Sequence, residues 1–166
     1  MKRVRDINWN NPKFIRAGVI PFVEEKGVRF FAFGVENGVA AIGDFGGHRE
    51  KKDFDALDSA IREYQEECLN VFGEINRNML QDYFAMEGND TVEILLPVSG
   101  PFYQYTEKFN NLVGSNTDHE VQNVIWLSRK QLLTAISSPE ESYMGTKIYH
   151  MYNRVRDTLQ ANREYL

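Results

Sequence analysis

Phe45-Gly46-Gly47-His48-Arg49-Glu50-Lys51-Lys52-Asp53-Phe54-Asp55-Ala56-Leu57-Asp58-Ser59-Ala60-Ile61-Arg62-Glu63-Tyr64-Gln65-Glu66-Glu67-Cys68-Leu69-Asn70-Val71-Phe72 is the stretch that decides the fold. A Gly46-Gly47 turn leads through a charged loop into a helix. Asp53 or Asp55 can cap its start, because a short carboxylate accepts from the free N–H groups of a first turn. Leu57, Ala60, Ile61, Tyr64, Cys68 and Val71 follow helical spacing and form one apolar stripe. Ser59, Arg62, Glu63, Glu66 and Glu67 fall on the other side.

Glu63, Glu66 and Glu67 are spaced i, i+3 and i+4, so their carboxylates share one side of one turn. No Lys or Arg lies four residues from Glu63 or Glu67. The two therefore oppose each other as like charges, at about 0.2–0.5 kcal/mol in an isolated helix. A divalent cation reverses that sign. Mg²⁺ takes oxygen ligands, often carboxylates together with substrate phosphates. Three glutamates alone most often mean a solvated acidic face.

The context adds more. The segment resembles the Nudix box, Gly-x5-Glu-x7-Arg-Glu-U-x-Glu-Glu-x-Gly-U, with U a bulky apolar residue. Arg62-Glu63-Tyr64-Gln65-Glu66-Glu67 matches its core without a gap, Gly47 matches the opening glycine, and Glu50 falls where members often carry a loop glutamate. Asp53 stands at the first glutamate position, with one residue more than the pattern between it and Arg62. Leu69 takes the box glycine position. Asn70 follows and tolerates the left-handed backbone, so the helix end is expected to shift by one residue.

The resemblance implies an α/β (α+β) fold, a mixed sheet sandwiched between helices, as one Nudix domain over residues 1–166. It implies a pyrophosphohydrolase cleaving the diphosphate linkage of a nucleoside diphosphate derivative with Mg²⁺ or Mn²⁺. Glu63, Glu66 and Glu67 would be the metal ligands, and Gly46 and Gly47 would let backbone approach metal or phosphate. Arg62 would brace the loop carboxylates Glu50 or Asp53. Glu63, Glu120 and Arg62 are the catalytic candidates. Glu120 belongs to the loop Asp118-His119-Glu120 and is the choice for a general base outside the box. The implied partner is a small-molecule diphosphate: a nucleotide, an ADP-ribose-like compound, a dinucleoside polyphosphate or capped RNA, the last being the only route to nucleic acid. A homodimer is compatible with it. The alternative is an inactive module of the same fold that binds a nucleotide or a protein.

Composition fits a globular protein. The chain has 166 residues, 42% hydrophobic and 13% aromatic, enough for one domain with a real core. A net charge of −5 weighs against broad nucleic-acid binding. A single cysteine, Cys68, excludes an internal disulfide and reads as a small core residue. No secretory leader and no membrane-length apolar run are present, so a soluble, cytoplasmic protein is the default expectation.

Outward from the central stretch, residues 1 to 16 read as a basic, loosely held lead-in. Phe14 to Val23 and Val28 to Val35 read as strands of a hairpin, with Pro21 at an edge or a bulge. Val39 to Ile42 leads into the glycines. Gln81 to Met86 and Thr91 to Pro97 form a second hairpin, Pro101 to Val113 is helical or irregular, and Val121 to Leu127 is a strand. Ser128 caps a helix over Arg129 to Ile136, and Ser137 to Glu141 is a loop. A last helix is expected from Gly145 to Arg163, with Ile148, Met151, Tyr152, Val155 and Leu159 on one face.

Overall fold

The computed structural model describes residues 1–137, 142–144 and 147–166, the strand residues 142–144 and 147–148 by their backbone alone. Among them, β2 (Arg16–Glu25) and β3 (Val28–Glu36) form the expected hairpin, joined at Lys26-Gly27. β4 (Ala41–Gly43) continues antiparallel to β3, and β5 (Phe45–His48) returns antiparallel to the first half of β2. The helix α1 (Ala56–Cys68) follows, then a short α2 (Arg77–Leu80). β6 (Phe84–Glu87) and β7 (Thr91–Pro97) are the second hairpin, and β7 runs parallel to β2. α3 (Tyr103–Val113) settles the undecided stretch as helix, and β8 (Val121–Ser128) pairs with β3. α4 (Arg129–Ser137) starts at a reciprocal cap, in which Ser128 Oγ accepts from Gln131 N and Gln131 Oε1 accepts from Ser128 N.

The main path of the sheet adds β1 (Lys2–Arg3), β9 (Ser142–Met144) and β10 (Lys147–Met151), in the order β1-β6-β7-β2-β3-β4-β10-β9. Side chains alternate across it into two cores. Ala17, Val19 and Ala32 join the stripe of α1 and Phe109 of α3 on one face. Ile20, Phe31 and Phe33 join Leu132 of α4 and Val155 of α5 (Asn153–Ala161) on the other. The sheet is therefore mixed and lies between helices. No helix among the described residues is long and apolar enough to cross a membrane.

Five local expectations need correction. Gly46 and Gly47 lie in strand β5, opposite Gly18 and Ala17, and make no turn. They are glycines because of what approaches them. A Cβ on Gly46 would come within 2.5 Å of Gly18 Cα, and one on Gly47 would strike the Glu63 carboxylate. Pro21 sits inside a central strand. The carbonyl of Phe22 accepts from Val98 N on the β7 side. Pro21 therefore turns its donor-less nitrogen the other way, into the gap between the β5 and β3 pairings.

The first sixteen residues are no loose lead-in. Val4, Ile7, Trp9 and Phe14 are buried, Trp9 Nε1 donates to Val4 O at 2.9 Å, and Trp9 O accepts from Ala56 N at the start of α1. The last helix begins eight residues later than expected, at Asn153 rather than Gly145. Lys147 to Met151 is strand β10, parallel to β4 at His150↔Ala41 and Met151↔Ile42. Gly145 and Thr146, with most of the Ser137-to-Glu141 loop, lie outside the described residues. Finally, α1 does not shift its end. Leu69 itself adopts the left-handed conformation at φ 56°, and Asn70 repeats it at φ 57°. For Leu69 that conformation costs about 1–2 kcal/mol against a glycine.

Candidate active site

The capping of α1 falls to Asp55, whose carboxylate accepts from Asp58 N at 3.0 Å. Arg77, which sequence reading passed over, grips the same carboxylate with both terminal nitrogens at 2.8 and 2.9 Å and also reaches Asp58 at 2.9 Å. Fixing the start of α1 fixes where its later turns meet the sheet. Tyr64 and Cys68 are fully buried beneath it, and burial pushes the Cys68 thiol up to about 12.

Arg62 holds the loop before the helix. Its Nε and Nη2 donate to both Asp53 oxygens at 3.0 and 2.9 Å, and Nη2 also donates to His48 O at 3.2 Å. Its Nη1 donates to Glu63 at 2.9 Å and to Glu66 at 3.4 Å, and lies 3.7 Å from Glu50. Glu63 thus has a cationic partner in the residue before it, which i,i+4 spacing does not reveal, while the contact with Glu66 is an i,i+4 pair. The hydrogen bonds from Arg62 hold the Asp53 carboxyl down at about 2. Asp53 contributes this stability above the ordinary carboxylate value near pH 4 and loses it as pH falls through about 2. We expect Asp53→Asn to lose about 1–2 kcal/mol at pH 7, and the gap between variant and wild type to close below pH 4 in urea melts. A constant gap from pH 7 to pH 2 would show that Asp53 acts without its charge.

The three box glutamates part company. Glu66 is more than half exposed and lies against Arg62. Glu63 packs on Gly47, its side chain 14% exposed, and Glu67 is 7% exposed at a cavity of about 410 Å³. Glu120 lines that cavity from the loop before β8. Its backbone carbonyl accepts from Asn37 N at 2.7 Å, and its neighbour His119 donates from Nε2 to Glu67 O at 2.9 Å. The distal loop is thereby tied to the box helix. Asp118 is exposed. Burial, with the charges of Asp44, Glu120 and Glu63, pushes the Glu67 carboxyl up to about 10. Burial also raises Glu63, against the pull of Arg62, and Glu66 and Glu120 add to the rise. The fold brings Glu63, Glu67 and Glu120 within reach of each other's charge and leaves Glu66 at the rim.

A buried triad lies beside them that sequence reading did not find. Arg16 Nη1 donates to Asp44 at 2.7 Å and to Glu93 at 3.3 Å, and its Nη2 forms a second, short bond to Asp44. Both carboxylates are essentially inaccessible. One arginine cannot balance two buried carboxylates. Arg16 keeps Asp44 ionised against its burial. Burial and the Asp44 charge push the Glu93 carboxyl well above the usual carboxylate range. Glu93 Oε2 is buried with no hydrogen-bond partner among the described residues. Arg16 and Asp44 also line the cavity. No sequence signal marks this triad, because its members lie 28 and 77 positions apart and meet only through sheet register.

The donor set suits a hard divalent ion: oxygen ligands, buried at excess negative charge, beside a glycine backbone with no Cβ in the way. Among the described residues, however, no group of three His, Cys, Asp or Glu side chains already converges on one metal position.

No protein-family model and no curated protein sequence matches the chain. Solved structures do. The Ap4A hydrolase of C. elegans in a binary complex is 18% identical, with a TM-score of 0.44, over 72% of this chain and 82% of that one. The NUDIX domain of Shewanella oneidensis NrtR, complexed with ADP ribose, is 12% identical, with a TM-score of 0.46, over 92% and 88%. A mutT/nudix family protein from Listeria innocua is 12% identical, with a TM-score of 0.43, over 91% and 93%.

Proposed function

We propose that this chain is a metal-dependent hydrolase of phosphoric anhydrides, a Nudix-type pyrophosphohydrolase acting on a diphosphate-linked small molecule. The observation that carries the reading is the carboxylate set at the cavity. Glu67 is pushed up to about 10 by burial and by its acidic neighbours, against the pull of the Arg16 charge. Such a site is unfavourable alone and becomes favourable around a divalent ion.

Glu63 and Glu67 would hold Mg²⁺ or Mn²⁺, with Glu66 joining from the rim. A bound ion would supply charge neutralisation at the phosphate oxygens. The chain's own residues do the rest. Glu120, exposed at the cavity and tied in place by its backbone, accepts a proton from the attacking water. Arg62 keeps Glu63 oriented through Nη1 while anchoring the loop at Asp53. Gly47 lets α1 lie close enough for Glu63 to reach the site. Arg16, locked by Asp44, offsets part of the charge next to Glu67.

The test is a substrate panel. Nucleoside triphosphates, an ADP-ribose, a dinucleoside polyphosphate and capped RNA are incubated with Mg²⁺ or Mn²⁺, and released phosphate and nucleotide are read by chromatography. We expect cleavage of at least one anhydride that stops in EDTA. Binding of a panel member without cleavage under either metal would favour the inactive-module alternative.

A further inference from the structure

Glu67 and Glu120 reach the cavity from elements far apart in sequence. One stands in the last turn of α1, the other in the loop that precedes β8. Two groups act together only when their separation is held, and a misplacement of about 1 Å can lower a rate about 10²-fold. The hydrogen bonds of the loop show what holds it.

From Gly114 to Glu120 every residue is exposed except His119. Part of the loop is laced to its own side of the site. Asn37, in the turn after β3, donates from its backbone N to Glu120 O at 2.7 Å and from Nδ2 to Thr117 O. Gln122 in β8 donates from Nε2 to Asn116 O at 3.1 Å and to His119 O. These bonds do not reach α1. The His119 ring turns inward beside Phe109, with ring centroids 6.0 Å apart, and its Nε2 lies 2.9 Å from Glu67 O. A carbonyl only accepts, so Nε2 carries the hydrogen.

The acceptor is one that a helix does not satisfy by itself. The last four carbonyls of a helix lack the donor four residues on. For Glu67 O that donor would be Val71 N, which goes to Cys68 O at 3.1 Å after the left-handed Leu69 and Asn70. His119 satisfies the orphan from across the site. One bond thus caps the end of α1 and joins the backbone of Glu67 to the residue before Glu120.

We propose that His119 is a positioning residue, a strut that holds Glu120 in place relative to the turn of α1 that carries Glu67. It acts through Glu120 and takes no part in proton transfer. Its effect on turnover rests on the hydrolase reading of the site; the strut itself does not.

The test uses four variants of the full chain. His119→Phe keeps a ring beside Phe109 and removes the donor, while His119→Gln keeps a donor at similar reach. Glu120→Gln and the double variant His119→Phe/Glu120→Gln complete the set. On an anhydride that wild type cleaves at saturating Mg²⁺, His119→Phe is expected to lower kcat about tenfold or more. KM should stay within a few-fold, and His119→Gln should recover most of kcat. The double variant should turn over no more slowly than Glu120→Gln alone, because the strut then has no base to position. Losses that multiply in the double variant would overturn the proposal. So would an unchanged kcat in His119→Phe, or a His119→Gln no better than His119→Phe.

The strut also has a readout without turnover. In EDTA, the Asn37 amide bonded to Glu120 O is expected to exchange its hydrogen about tenfold or more faster in His119→Phe, with wild-type protection in His119→Gln and unchanged rates along β2. Equal Asn37 exchange in wild type and His119→Phe would overturn the proposal, whatever is cleaved. A rise shared by the β2 amides would overturn it too, since the whole fold would then have loosened. The hydrolase reading fails separately: no anhydride cleaved by wild type, with the local exchange difference intact, removes the enzyme and leaves the strut.

Discussion

Glu67→Gln is expected to lower turnover by about 10²–10³-fold at saturating Mg²⁺, the range seen when a single electrostatic stabiliser is removed from a site. In EDTA the same substitution is expected to make the protein more stable. Both effects come from one carboxyl. In the unfolded chain it ionises near its ordinary value, while in the fold burial and neighbouring acids keep it protonated up to about 10. The folded state therefore binds the extra proton, and metal-free stability falls as pH rises above about 4.5, by at most about 1.4 kcal/mol per unit. Glutamine carries the neutral shape without this penalty. The expected gain is of the order of 2 kcal/mol at pH 7, growing from pH 5 to pH 8 in thermal melts. Added Mg²⁺ should reverse the order of the two proteins. A variant that turns over near the wild-type rate, or that is less stable in EDTA, would remove Glu67 from the metal site.

The second large effect concerns the general base. Carboxylates engaged with a cation have a lowered proton affinity and are poor bases near neutral pH. Glu120 lines the cavity, is exposed to solvent, and is held by the Asn37–Glu120 backbone bond and by the His119 bond to α1. We expect Glu120→Gln to lower kcat by about 10²-fold or more, the low end of a general-base contribution, with metal affinity little changed. A loss of metal binding instead would move Glu120 into the ligand set. A kcat within a few-fold of wild type, with Glu63→Gln inactive, would place the base in the box.

Much of this was legible along the chain. The stripe Leu57-Ala60-Tyr64-Cys68 predicts α1, and it is the buried face. The spacing of Glu63 and Glu67 predicts adjacent carboxylates; Glu67 lines the cavity, Glu63 packs on Gly47, and Glu66 stays more than half exposed. Helical spacing fixes which residues are neighbours, but not which of them the sheet covers. The like-charge cost assigned to an isolated helix was small for the same reason: it took no account of the burial that dominates at Glu67.

What the chain did not reveal is non-local. Arg16 in β2, Asp44 between β4 and β5, and Glu93 in β7 each look ordinary along the chain. Their triad exists because β2 lies between β5 and β7 in fixed register. The apolar residues Val4, Ile7 and Trp9 are spread among basic ones, so no period marked them as core. Ile148, Met151, Tyr152, Val155 and Leu159 fit a helical period across a boundary. The last two belong to the buried face of α5, whereas Ile148 and Met151 belong to β10, whose pairing with β4 decided the conformation. Tyr152, read as core on that pattern, instead begins the helix at the cavity wall.

The central claim is that the buried carboxylates at the end of α1 form a divalent-metal site, and calorimetric titration of the metal-free protein with Mg²⁺ and Mn²⁺ at pH 7 tests it most directly. Running each titration in buffers of different ionisation enthalpy counts the protons released. The account predicts saturable binding by wild type, with release of up to about one proton as the Glu67 carboxyl is ionised by the ion, and weakened binding without proton release in Glu67→Gln. Absence of binding by wild type, or equal affinity and equal proton release in the two proteins, would contradict it.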